Sequence, residues 1–228
     1  MFSHQVVISV EGNIGSGKST FMTYLSELYE TDPHNFNDKK IAFVQEPIEE
    51  WNTVRDENDE PMLKIFYGNQ KRNAFSFQMM AYISRLVKIR EALRSDVDIV
   101  IVERSLYTDR EVFAKMLYED GMIRKVDYEI YLRWFDEFAA EISPDYVFYL
   151  RASPEICLCR TLARARDGEG TIPLEYLVRC HTFHDNWLYG PIASQYSVHT
   201  LNADVNVSNE EGISTYVSWR EQIVSFFP

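Results

Sequence analysis

The sequence predicts an α/β fold, a five-stranded parallel sheet with helices packed on both faces. Three observations carry this. Five short runs are apolar and rich in β-branched residues, at Val6–Val10, Ile41–Val44, Ile99–Val102, Tyr146–Leu150 and Ser197–Leu201. Each is near-continuously apolar or flanked by turn chemistry, and continuous apolar strands indicate a parallel sheet covered on both faces. The stretches between them carry helical periodicity, which gives the strand-helix alternation of that architecture.

Taken in order, the first run leads into a glycine-rich turn and then a helix expected over Thr20–Tyr29. Glu49–Pro61, after the second run, is acidic and irregular and reads as a surface excursion. The longest helix is expected over Ala74–Leu93, where Phe75, Met79, Tyr82, Leu86, Ile89 and Leu93 recur every three or four residues. A further helix is expected over Tyr128–Ile142, with Ile130, Trp134, Phe138 and Ile142 at i, i+4 intervals. Most of these positions, Phe75 among them, read as ordinary core, and so does Phe135. With 228 residues, 46% of them hydrophobic, and no repeat or long linker, the chain is expected to form one domain over 1–228.

Charge and composition exclude several functions. A net charge of −12 argues against a nucleic-acid binder, which would show a basic face, so any phosphate must be handled by a few placed cations. No apolar run approaches the ~20 residues of a membrane span, and Glu11 interrupts the N-terminal run. Cys157, Cys159 and Cys180 read as core or free thiols in a reducing compartment, and the His181-x-x-His184 pair lacks a third ligand for zinc. The expected location is cytoplasmic, with a nuclear or trimmed organellar form as the alternative.

The strongest motif is Gly12-Asn13-Ile14-Gly15-Ser16-Gly17-Lys18-Ser19, which matches G-x-x-x-x-G-K-[ST] between a strand and a helix. Glycines let backbone N–H groups turn onto phosphate oxygens, and the helix N-terminus, from Thr20 onward, adds its dipole. Lys18 would reach the β and γ phosphates, and Ser19 would offer its hydroxyl oxygen to Mg²⁺. The motif selects a nucleoside triphosphate site without selecting the reaction. A guanine-reading Asn-Lys-x-Asp is absent, and Asp167-Gly-Glu-Gly170 lies too late to serve a GTPase.

Two later strands end in charged residues at the edge where open α/β sheets bind ligands. Strand two ends in Gln45-Glu46-Pro47, followed by Trp51, and offers a carboxylate able to accept a hydroxyl proton. Strand three ends in Glu103-Arg104-Ser105, an acid for Mg²⁺ and a fixed cation for a phosphoryl group in transfer. Arg160, Arg164 and Arg166 form the one dense arginine cluster, at about 160–170, and read as either a solvated helix face or a lid over the phosphates. On the long helix, Gln78, Ala81 and Arg85 share a stripe, so two polar groups on a buried face need partners; Asp109 is a candidate for Arg85.

Together, the segments Glu11–Thr20, Gln45-Glu46-Pro47 with Trp51, Phe75-Ser-Phe-Gln78, Glu103-Arg104-Ser105 and Ile172–Leu177 resemble, in this order, the deoxynucleoside kinase family. The resemblance runs from residue 6 to about 204 and implies a P-loop kinase-type sheet with an arginine-rich lid. It implies that Glu46 is the general base for a 5′-hydroxyl, that Arg104 holds that oxygen and the phosphoryl group, and that Glu103 and Ser19 flank Mg²⁺; a swap giving Glu103 the base role stays open. It also implies that Gln78 reads the base, and that Tyr67 and Glu169 hold the 3′-hydroxyl and crowd the 2′ position. Trp51, Phe77, Phe113 and Ile14 would wall the base, and Asp204, in a loop over Asn202–Val207, would meet the adenine. The Arg85/Asp109 combination is similar to the deoxycytidine and deoxyguanosine kinase branch. Gly15-Ser16, where many relatives carry alanines, and Phe66, where methionine is common, depart from the pattern.

The expected activity is ATP- and Mg²⁺-dependent phosphorylation of deoxynucleosides for nucleotide salvage, purines and deoxycytidine ahead of thymidine, by a homodimer. A broad-specificity or thymidine-preferring kinase, a nucleoside monophosphate kinase and a catalytically idle nucleotide binder are the rivals.

Overall fold

Alternate side chains of the central strands enter opposite cores, which is why the sheet carries helices on both sides. The structure, a computed structural model, describes residues 5–139, 142–166, 169–205 and 210–228. Strands β1 (Val6–Glu11), β2 (Ile41–Val44), β3 (Ile99–Glu103), β4 (Tyr146–Arg151) and β5 (Ser197–Asn202) form one sheet in the order β2-β3-β1-β4-β5, every pair parallel. Val7, Val100 and Val102 enter one core, while Ile8, Val10, Ile99 and Ile101 enter the other. Both faces of β1 and β3 are thus buried, as their continuous apolar runs predict.

Helix α1 (Lys18–Thr31) packs Phe21 and Leu25 against the face that also receives Trp219 and Ile223 of α10 (Glu210–Val224). The short helices α2 (Ile48–Trp51) and α3 (Met62–Gly68) lie between β2 and α4 (Gln70–Arg94), which crosses the opposite face with Tyr82, Leu86 and Ile89 inward. After β3, helix α5 (Leu106–Thr108), one turn of π-helix (Asp109–Ala114) and α6 (Lys115–Glu119) follow one another without a break. Helix α7 (Lys125–Phe138) adds Tyr131 and Phe135 to the α4 core; α8 (Pro154–Arg164) and α9 (Leu174–Leu188) follow β4.

Several expected boundaries move for local reasons. α1 begins at Lys18, because Gly17 caps it in the left-handed region at φ 100°, so Lys18 and Ser19 stand in its first turn. α4 begins at Gln70, where the Asn69 side chain accepts the Arg72 N–H. The helix expected to reach Ile142 ends at Phe138: Ile142 is buried, but in the connection to β4, so its apolar spacing reported burial rather than helix. The acidic Glu49–Pro61 stretch holds α2 with its buried Trp51 and a bridge between Arg55 and Pro61, so it is not wholly a surface excursion. Phe135 is core as expected, and Phe75 packs half-buried against the same cluster.

Candidate active site

The turn after β1 is shaped by close backbone approaches. Gly12 sits at φ 148°, and a Cβ there would fall 2.5 Å from the Leu150 carbonyl oxygen of β4. At Gly15, φ 78°, it would fall 2.4 Å from the Cys157 carbonyl of α8, so alanine in place of this glycine would require α8 to stand further off. Asn13 braces the loop from inside, accepting the Ile14 N–H at 2.8 Å and donating to the Leu177 carbonyl at 2.9 Å. Lys18 is buried and donates to the Asn13 carbonyl at 2.7 Å. Burial and the neighbouring Arg104 lower its pKa to about 7, against the opposing pull of Glu103 and Glu46.

A cleft of about 730 Å³ opens on the outer side of this loop, lined by Gly15 to Thr20, by Arg160, Arg164 and Arg166, and by Asp204. Arg160 ties the loop to the β5 connection, donating to the carbonyls of Ser16 (3.3 Å) and Val205 (2.6 Å). The Asp204 carboxyl accepts the Ser153 N–H at 2.7 Å and hydroxyl at 3.2 Å. Of the loop expected to meet adenine, residues 206 and 207 lie outside the described residues.

A second cavity adjoins the first at Gly15, Lys18 and Ser19. Its floor is an ionic cluster. Glu46 accepts from Arg104 Nη1 at 2.9 Å through one oxygen and from Arg85 Nη2 at 3.0 Å through the other. Burial would raise its carboxyl, but Arg104, Arg85 and Lys18 outweigh that and hold it at about 2. Arg85, 2% exposed, also donates to Asp109 at 2.9 Å and to the Glu103 carbonyl at 2.9 Å. Burial works against its charge, yet Asp109 and Glu46 together keep it firmly protonated. On the phosphate-loop side, Ser19 Oγ donates to Glu103 Oε1 at 2.7 Å, placing two oxygen donors together.

The walls are aromatic. Phe77 stacks on Phe66 with centroids 4.4 Å apart and meets Trp51 edge-on at 5.3 Å, while Trp51 Nε1 donates to Ser84 at 2.8 Å. Phe113, four residues after Asp109 on the π-helical turn, lies under the Arg104 guanidinium at 5.2 Å. Gln78 lines the cavity with its Oε1 buried and unpaired by protein, as a group awaiting a ligand donor would be. Tyr67, Ile14 and Glu169 complete the rim. Arg164 and Arg166 both donate to the Glu169 carboxyl, the latter at 3.1 Å; residues 167 and 168, the tip of the expected lid, lie outside the described residues.

Nearly every residue singled out in the sequence therefore borders one of the two joined cavities. Gly12 and Asn13 act from behind, the Gly12 carbonyl accepting Arg104 Nη2 at 3.2 Å. Sequence reasoning missed the Arg85–Glu46 bond, because spacing alone gave Arg85 one partner, and it missed Tyr176, a lining residue inside the Ile172–Leu177 segment. It also passed over Glu11, whose buried side chain is bonded to the turn carrying Arg104. His181 is engaged by Arg151 and Asp185, while His184 is buried, its Nδ1 facing the Cys180 carbonyl at 2.7 Å.

Comparison with known proteins identifies the family of the chain. A sequence model described as deoxynucleoside kinase matches residues 8–224. The chain belongs to the deoxynucleoside kinase family. It is 36% identical to the deoxycytidine kinase of Rattus norvegicus over 79% of this chain and 74% of that one. It is 33% identical to the mitochondrial deoxyguanosine kinase of Xenopus laevis (79% and 72%), and 35% identical to the "probable deoxycytidine kinase" of fowlpox virus (90% and 79%). As a deoxynucleoside kinase it is a phosphotransferase. Among the described residues, no helix is long and apolar enough to cross a membrane.

Proposed function

We propose that this kinase transfers the γ-phosphoryl group of ATP to the 5′-hydroxyl of deoxynucleosides for nucleotide salvage, with purine deoxynucleosides and deoxycytidine ahead of thymidine. One observation carries the reading: Glu46, partly buried and clamped by Arg85 and Arg104, stands at the floor of an aromatic-walled cavity that meets Lys18 and Ser19. A nucleoside base between Trp51, Phe77 and Phe113 would aim its 5′-oxygen at this floor.

Phosphoryl transfer needs alignment and charge neutralisation more than a strong base. Glu46, held at about 2, is a weak base and accepts the hydroxyl proton late, as the new P–O bond forms. Arg104 lies within reach of both the attacking oxygen and the transferring group, and Lys18 gains its full charge beside phosphate. Arg164 and Arg166 are free to exchange Glu169 for phosphate oxygens, and Glu169 in turn to take a 3′-hydroxyl. The oxygen donors Ser19 and Glu103 suit a hard divalent cation and would hold Mg²⁺. When bound there, Mg²⁺ neutralises charge on the β and γ phosphates.

For the base, Gln78 Oε1 is the unpaired acceptor and the Arg85–Asp109 pair limits the space beside it. Cytosine, adenine and guanine offer an exocyclic amine to such an acceptor, which thymine lacks. Homodimerisation is supported by Ile83 and Val87 on α4 and Val126, Ile130 and Trp134 on α7, all large, apolar and exposed. A reducing, cytoplasmic setting suits three free cysteines. The test is a coupled ADP-release assay with MgATP and a panel of deoxyadenosine, deoxyguanosine, deoxycytidine, thymidine, cytidine and dTMP. Turnover of deoxynucleosides is expected; turnover of dTMP alone, or ATP binding without turnover, refutes the proposal.

A further inference from the structure

Glu11 is fully buried at the end of β1, one residue before the phosphate loop, and among the described residues it forms no ion pair. Isolated carboxyl groups are costly to bury, so its bonds must compensate. All three come from one short segment. Glu11 Oε1 accepts the Ser105 N–H at 2.8 Å and the Ser105 hydroxyl at 2.7 Å, and Oε2 accepts the Thr108 hydroxyl.

Ser105 is the N-cap of the helical run that begins with α5, yet its side chain does not cap that run. A serine there ordinarily accepts an N–H from the first turn; here its hydroxyl is donated to Glu11 instead. The residue before it, Arg104, has φ 62°, a left-handed conformation that non-glycine residues adopt at a cost of about 1–2 kcal/mol. Three consecutive residues of one strand end hold this turn. The Val10 carbonyl accepts Arg104 N–H at 3.1 Å, Glu11 takes Ser105, and the Gly12 carbonyl accepts Arg104 Nη2 at 3.2 Å. With its backbone reversed in this way, the Arg104 side chain reaches back over the phosphate loop to Glu46.

We propose that Glu11 is a positioning residue for phosphoryl transfer, which keeps Arg104 in its left-handed turn and so aims its guanidinium at the junction of the two cavities. The inference rests on the role given to Arg104 above. It assigns to the buried carboxyl a task in the reaction, carried out through Arg104, rather than a general contribution to folding.

The test is a double-mutant cycle on kcat, with KM, the affinity for a fluorescent ATP analogue and Tm measured alongside. Glu11→Ala is expected to lower kcat by about tenfold or more, since small misplacements of a reacting group are that costly, while ATP-analogue affinity stays within about threefold. Glu11→Gln keeps an acceptor for Ser105 and can donate to Thr108, so kcat should return to within about threefold of wild type. In an Arg104→Ala background, Glu11→Ala should cost less than about threefold more, because the group it positions is gone. Equal losses in both backgrounds, or an unchanged kcat in folded Glu11→Ala, overturn the inference. If Glu11→Ala does not fold, Thr108→Val, which removes a single donor, makes the same comparison with and without Arg104. A wild-type protein inert towards deoxynucleosides, or an Arg104→Ala variant of undiminished kcat, refutes instead the function on which the inference stands.

Discussion

Replacing Glu46 by glutamine separates its chemistry from its place in the ion cluster. Lys18, Arg85, Arg104, Arg164 and Arg166 face Glu46, Glu103, Asp109 and Glu169 around the cavity, and the substitution removes one negative charge from this set. Of the two oxygens now bonded to Arg85 at 3.0 Å and Arg104 at 2.9 Å, one becomes an amide nitrogen facing a guanidinium donor. Removing one member of a buried pair costs about 3–5 kcal/mol, which for a chain of this size lowers Tm on the order of 10 °C. A typical domain retains enough of its stability of about 5–15 kcal/mol to stay folded through that loss. The extra positive charge sits next to the phosphate loop, so affinity for a triphosphate should hold or rise. Loss of the proton acceptor should lower kcat by about 10²- to 10⁴-fold. The assay is ADP release under saturating deoxynucleoside, with ATP-analogue binding and thermal melts on the same preparations. A kcat within about threefold of wild type, in a variant showing the expected melt, would refute the base assignment. If Glu103→Gln alone gave the large loss with no change in Mg²⁺ requirement, the base role would pass to Glu103.

Arg85→Met combined with Asp109→Ala removes both members of a buried pair, avoiding a lone charge, and opens space beside Gln78. The thymidine-to-deoxycytidine ratio of kcat/KM should rise by about 10- to 200-fold, the range for a methyl-sized fit; an unchanged ratio would make the pair structural. Gly12→Ala would drive a Cβ to 2.5 Å from a β4 backbone oxygen that cannot retreat. ATP affinity should fall by at least about tenfold, measured by analogue binding, since the phosphate loop must shift. His184 is buried, and burial, with Arg104 and Lys18 nearby, lowers its pKa to about 3, only partly offset by its bond to the Cys180 carbonyl. Its folded-state pKa lies below the unfolded value, so its contribution is present above the ordinary value near 6.5 and is lost as pH falls below it. Urea unfolding should show stability about 2 kcal/mol lower at pH 5 than at pH 7, and a shallower loss in His184→Phe. Equal slopes in the two proteins would exclude His184.

What the sequence made legible was whatever depends on local spacing. The central strands β1, β3 and β4 could be read because a parallel strand buried on both faces leaves an unbroken apolar run, whereas the edge strands β2 and β5 are only partly buried; the phosphate loop could be read because its glycines answer to backbone geometry within eight residues. Helix ends were less legible: Ile142 keeps the rhythm of α7 although the helix stops at Phe138, since a hydrophobic period records which residues face the core and not whether the backbone between them is helical. The wiring of the charged floor was legible only in part. Arg85 and Asp109 could be paired from their places on neighbouring elements, but that Arg85 also grips Glu46 depends on β2 lying beside β3, a matter of strand order that no local pattern encodes. Glu11 was the least legible, because a single acid ending an apolar strand looks like the point where the strand meets solvent. Its meaning emerges only when β1 and β3 are neighbours and the turn carrying Arg104 is folded over it. Bonds between segments that the sheet brings together thus decide how the reactive residues are aimed, whereas their identities were already visible in the chain.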